Sequence, residues 1–245
     1  MSESNIGEQA ISKAAEVGID SQLDEVEELN VDIETNPMDL AGGNVDSVTV
    51  DGKGMVMNKD LRAERLIIDT DSIEIDSMKA ALGNIELEQN TNAEARVVLL
   101  EKDIQRAFNS GYIKDKLQNQ KVDVDGETVT INVDNVKFTL PGDDKIGLNA
   151  DLEIVESREN KQISLLAKPK IDADGNKIAI KDVEYPDGDD SNPELTKALL
   201  DSTKEILDLR NFELDEMSLQ IDRLDVSQGK IIMAASALVR EFPDD

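Results

Sequence analysis

Any reaction carried out by this chain must run on carboxylates, hydroxyls and amines, because the sequence holds neither histidine nor cysteine. The missing imidazole removes the commonest general acid/base and the commonest transition-metal ligand. The missing thiol removes thiolate nucleophiles, Cys-ligated zinc and iron–sulfur clusters. Serine would need a lysine or carboxylate as its activating base, and no serine sits in a Gly-x-Ser-x-Gly elbow. A Walker A loop and a dinucleotide fingerprint are both absent. The segment Asp172-Ala173-Asp174-Gly175-Asn176 begins like a calcium loop, but an EF-hand needs glycine at its sixth position and glutamate at its twelfth. Here glycine comes fourth and Val183 twelfth, so the segment reads as a hairpin turn. Asp187, Asp189 and Asp190 read as a solvated acidic loop. With 54 acidic residues in the chain, closeness of two carboxylates carries little information. A glycosidase cleft also stacks sugars on rings, and the chain has four Phe, two Tyr and no Trp. The expectation is a protein that is not an enzyme and uses no cofactor and no metal.

What remains is aliphatic, and its spacing defines the elements that carry it. From residue 31 onward apolar residues recur at period two, the signature of half-buried strands. The clearest run is Ile146-x-Leu148-x-Ala150-x-Leu152-x-Ile154, and Val129–Val133, Ile163–Ala167 and Leu219–Ile221 repeat it. Asp51-Gly52, Asp125-Gly126 and Asp174-Gly175 read as hairpin turns between such runs, with Pro141-Gly142 and Gln228-Gly229 marking two more. Gly52-x-Gly54, with no helix after it, reads as a bulge. Helical spacing appears over 8–29, through Ile11, Ala15, Ile19, Leu23, Val26 and Leu29. It recurs in Met78–Leu82, Glu101–Asn109, Tyr112–Gln118 and 192–209, the last opening on Asn192-Pro193. The expected fold class is α+β, a long curved antiparallel β-sheet wrapping amphipathic helices. One domain spans 8–242, with a disordered start at 1–7 and frayed residues at 243–245.

The charge balance of −28 argues against nucleic acid, whose phosphates need Lys and Arg for neutralisation. It argues equally against adsorption to anionic membranes, which attract polybasic segments. A flexible aliphatic face suits acyl chains, which lack polar handles. Ile146, Leu148, Leu152, Ile154, Ile163, Leu165, Leu219, Ile221 and Met233 are the expected walls of an aliphatic groove. Alternation shows that they share a side of the sheet; it does not show a guest.

Two stretches carry a family resemblance. Val45–Met57 with Leu61-Arg62-Ala63-Glu64-Arg65-Leu66, and Ala93–Leu100 leading into Glu101–Ala107, resemble the LmeA-like phospholipid-binding family of bacteria over about residues 10–240. The resemblance implies a fold similar to tubular lipid-binding proteins and non-catalytic binding of a phospholipid or similar amphiphile. It also implies lipid transfer or membrane-lipid homeostasis, with transient membrane contact. Members are often exported or anchored through an N-terminal apolar segment. Met1–Asn5 carries no basic stretch followed by an apolar one, so the expected address is cytoplasmic and peripheral to a membrane. Arg62 and Arg65 are expected to be exposed salt-bridge partners. The alternative reading is a protein–protein interaction scaffold whose apolar core is filled entirely by its own side chains.

Overall fold

Alternation at period two sets the architecture, and antiparallel pairing follows from it at every neighbouring pair of strands. The computed structural model describes residues 3–57, 60–75, 87–124, 126–186, 193, 195–197, 200 and 217–240. Six strands form the first sheet, in the order β1 (Glu28–Glu34), β3 (Ser47–Met57), β4 (Leu61–Thr70), β6 (Thr91–Leu100), β13 (Lys230–Val239) and β12 (Met217–Ser227). Five form the second, in the order β11 (Ile178–Glu184), β10 (Glu159–Ile171), β9 (Lys145–Ile154), β8 (Glu127–Gly142) and β7 (Gln120–Val124). A two-stranded ribbon joins β2 (Asn44–Val45) to β5 (Ile73–Glu74). The described helices are α1 (Glu3–Gln22), α2 (Pro37–Ala41), α3 (Glu101–Phe108) and α4 (Gly111–Leu117). Residues 193, 195–197 and 200 are also helical. None of the described helices is long and apolar enough to cross a membrane.

The helix expected over 8–29 ends at Gln22. Beyond it Leu29, Val31 and Ile33 alternate with Asn30 and Asp32, and strand pairing to β3 wins over helical spacing. Asp51-Gly52 is not a turn but mid-strand in β3, where Met55 fills the space a Gly52 side chain would take. Gly54 takes φ 59°, yet the β3–β4 register is the same on either side of it, so it breaks the ladder locally without inserting a bulge residue. At Pro141-Gly142 the chain reverses one step later, through Asp143 and Asp144, both at positive φ. Asp174-Gly175 and Gln228-Gly229 do turn their hairpins, and Gly126, with φ 82°, sits in the β7–β8 reversal. The helix expected at 78–82 and most of the one at 192–209 lie outside the described residues.

Both sheets use helices to satisfy exposed strand edges, because an unpaired edge is a template for aggregation. Ile33 N–H donates to Ser12 Oγ (3.1 Å) and Val31 N–H to Glu16 Oε1 (3.5 Å). One helical turn thus matches the two-residue repeat along the outer edge of β1. Lys13 beside Glu16 holds its carboxyl below the usual range, so it stays an acceptor. α3 repeats the device where β8 runs beyond its pairing with β7. Leu140 N–H donates to Glu101 (2.5 Å) and Phe138 N–H to Gln105 (2.6 Å), while the Gln105 and Asn109 amides donate to the Val136 carbonyl.

The second sheet buries much of its apolar side. Val122, Ile131, Val133, Val136, Ala150, Leu152, Ile163, Leu165 and Ala167 form one buried cluster with Leu195, and Phe108, Leu117 and Leu200 pack against it. A second cluster, Phe138, Leu140 and Val226 with Ile104, Ile146, Leu148, Leu224 and Ile231, joins the two sheets through α3. The stacked rings of Phe108 and Phe138, 5.7 Å apart, sit at that junction. The β10–β11 turn also reaches the first sheet, where Ile221 N–H donates to the Gly175 carbonyl (2.8 Å). Gly175 has φ 74°, and a Cβ there would lie 2.5 Å from Gln220 Cγ. Gly175→Ala is therefore expected to cost about 2–3 kcal/mol, strain plus collision. Gly126→Ala, with φ 82° and open space around it, should cost only about 1–2 kcal/mol of strain. Urea midpoints for the two variants check the difference.

Candidate functional site

The register of the first sheet assembles an apolar surface that no single strand displays. Val31, Val50, Ile68, Ala95, Ala235 and Ile221 stand in one row across all six strands. Leu29, Gly52, Leu66, Val97, Met233 and Leu224 form the next row. On the other side of the first row come Thr70, Ala93, Ala237 and Leu219. A bulge in β12 between Ile221 and Arg223 keeps Leu219, Ile221 and Leu224 on this one side.

Burial differs along these rows. Val31, Val50 and Ile221 are buried at the two ends, whereas Ile68, Ala95 and Ala235 in the middle are half-buried, as are Leu66, Val97 and Met233. Ala93, Ala95, Ala235 and Ala237 are mutual neighbours on β6 and β13, the fourth and fifth strands of the six. With methyl groups between Ile68 on one flank and Leu219 and Ile221 on the other, the surface is lowest where Ala93, Ala95, Ala235 and Ala237 meet, and Val97 and Met233 rise beside them on the same strands. Chemically it offers apolar contact area. At one end, α1 lays Ala15 and Ile19 over Val31, Ile33 and Val50, with Ile68 in the same cluster.

The nine residues expected as groove walls divide between the sheets. Leu219, Ile221 and Met233 lie on this surface. Ile146 and Leu148 reach the junction with β12. Leu152, Ile154, Ile163 and Leu165 belong to the packed interior of the second sheet, where Leu152 is 1% exposed and Ile163 and Leu165 are each 4% exposed. The four alanines escaped the sequence reading, although Ala93-x-Ala95 and Ala235-x-Ala237 keep the strand period. Large apolar residues mark a wall, and small ones mark room only once their neighbours are known.

The reverse side of the same strands is mixed, with Ile67, Val98 and Ile232 standing among charged residues such as Asp51, Arg65 and Arg96. Asp69, Glu94, Ser236 and Gln220 form a row there, beside a cleft of about 550 Å³ that Asp71 and Asp174 also line. These carboxylates repel phosphate. At the opposite end of β4, Arg62 is not the exposed ion-pair partner that its sequence context suggests. Its side chain is 11% exposed and donates to Glu27 (2.7 Å), Glu64 (2.7 Å) and the buried Asp103 (2.8 Å). The hydrogen bond to Glu64, then that to Glu27, with Asp103 adding, raises its basicity above the usual arginine range. Arg65 does match the exposed reading, as a forked pair with Asp51 at 3.0 and 2.7 Å that holds the Asp51 carboxyl below its usual range. That pair contributes above the ordinary carboxylate pKa and loses its contribution as the pH falls.

Three of the six strands that carry the aliphatic rows, β3, β4 and β6, lie in the stretches that carry the family resemblance. No characterised protein and no solved structure matches the chain. The profile of the LmeA-like phospholipid-binding family does match it, over residues 3–236. Nearly the whole chain is covered, and the protein therefore belongs to the LmeA-like phospholipid-binding family.

Proposed function

We propose that the protein binds a phospholipid or similar amphiphile without catalysis, laying its acyl portion along the aliphatic rows of the six-stranded sheet. The observation that carries this reading is the half-buried alanine floor between taller aliphatic flanks. Leu219, Ile221 and Met233 flank the bound chain, and Ile146 and Leu148 extend the surface at the junction. Leu152, Ile154, Ile163 and Leu165 back it from the second sheet. Such a strongly curved sheet wrapping its helices would be of the tubular lipid-binding kind. Each methylene moved from water onto such walls contributes about 0.8 kcal/mol. A palmitoyl-sized chain thus gains on the order of 10 kcal/mol before ordering costs. Lipid transfer or membrane-lipid homeostasis, through transient contact with a membrane, is the role this binding would serve. The excess of acidic groups favours headgroups without net negative charge and membranes poor in anionic lipid.

The closed interior of the second sheet favours a different reading, a protein–protein interaction scaffold with a self-filled core. Native mass spectrometry of gently purified protein separates the two. A lipid binder carries adducts of phospholipid mass that leave on unfolding. A scaffold flies as bare protein or with a protein partner, and that result would remove the lipid reading.

A further inference from the structure

We propose that α1 is a movable lid over one end of the aliphatic surface, an inference that rests on the lipid-binding reading above. The residues it covers, Val31, Val50 and Ile68, stand in the same row as Ala95 and Ala235. Lifting α1 would therefore lengthen the exposed apolar strip without disturbing the strands beneath.

Among the described side chains, α1 lays two apolar groups, Ala15 and Ile19, on this surface and lends two acceptors, Ser12 and Glu16, to the edge of β1. The second of those hydrogen bonds is long, at 3.5 Å. Val17 points outward and is 61% exposed. α3 contrasts with it: there a buried ion pair, three side chains on β8 and a buried cluster hold the helix in place. The base of α1 is fixed, since Asp24 N–H donates to the Val56 carbonyl (2.9 Å) and Glu27 N–H to the Lys53 carbonyl (3.0 Å). A helix on a pinned base pivots without unravelling the sheet, as closing elements in other proteins do.

The chain has no cysteine, so a pair introduced as Ser12→Cys with Ile33→Cys tests the lid cleanly. The Ser12 hydroxyl already lies 3.1 Å from the Ile33 nitrogen. The measured quantity is the exchange of a fluorescent phosphatidylcholine between the protein and neutral phosphatidylcholine vesicles. Oxidation should slow exchange about tenfold or more relative to the same protein reduced, while lipid loaded beforehand is retained. Ser12→Ala with Glu16→Ala frees the helix from the β1 edge and should speed exchange severalfold, which keeps the test intact if the disulfide forms poorly. Equal exchange in the oxidised and reduced forms, or unchanged exchange in the double alanine variant, overturns the lid alone. Failure of the unaltered protein to take up any phospholipid overturns the binding reading and the lid with it.

Discussion

Replacing Arg62 with alanine is expected to destabilise the protein by about 3–5 kcal/mol, the cost of stranding a buried carboxylate. Asp103 keeps only 6% of its side chain exposed, and Glu27 and Glu64 would be left facing it with no cation between them. A change of that size is a large share of the stability of an ordinary domain. Two controls separate the buried network from charge in general. Arg65→Ala removes a pair whose members are 45% and 31% exposed, and should cost about 0–1 kcal/mol. Arg62→Leu combined with Asp103→Leu removes both members of the buried contact and should cost less than Arg62→Ala alone, since no charge is left stranded between β4 and α3. Chemical denaturation of the four proteins at neutral pH checks the order. A cost for Arg62→Ala no larger than for Arg65→Ala would show that the network is energetically a surface feature.

Filling the alanine floor is expected to abolish lipid retention with little effect on folding. Ala95 and Ala235 stand opposite each other in the middle of the surface, and both are half-buried. Neither alanine belongs to a buried cluster among the described residues, so leucines there should change stability by no more than about 1 kcal/mol. The added branches occupy the space of on the order of four methylenes of a guest chain, a loss of about 3 kcal/mol of transfer free energy. Retention of phospholipid, measured as lipid phosphorus per protein after gel filtration, should fall about a hundredfold in affinity terms. Leucine at Ala150, in the packed interior of the second sheet, makes the opposite trade. It should cost about 1–3 kcal/mol of stability by overpacking while leaving the first sheet's surface as it was. Unchanged retention in the Ala95→Leu, Ala235→Leu protein would move the ligand off this surface.

Much of the strand pattern was legible because single strands announce it. Ile146 through Ile154 alternate without a break, and β9 spans them almost residue for residue. Features that depend on two distant segments were not. Arg62 finds Asp103 forty-one positions away, and nothing near Arg62 in sequence distinguishes it from Arg65. Asp51-Gly52 has the composition of a turn, but Gly52 stays in the strand because Met55 occupies the space beside it. Ala95 and Ala235 are unremarkable alone, and only the β6–β13 register makes them one surface. The division into two sheets was equally hidden. It arises where β8 leaves β7, shifts register between Asp134 and Lys137, and gives its free edge to Glu101 and Gln105 of α3 and to Asn109 just after it. Helical spacing of three polar side chains was visible in the sequence, but their target was not.

The most direct test places the guest by its neighbours. With the alanine methyl groups isotopically labelled and a phospholipid bound, nuclear Overhauser contacts should run from acyl methylenes to the methyls of Ala93, Ala95, Ala235 and Ala237. Contacts confined to Ala150 and Ala167 of the second sheet, or no contact between the lipid and any alanine methyl, would contradict the assignment of the acyl chain to the six-stranded sheet.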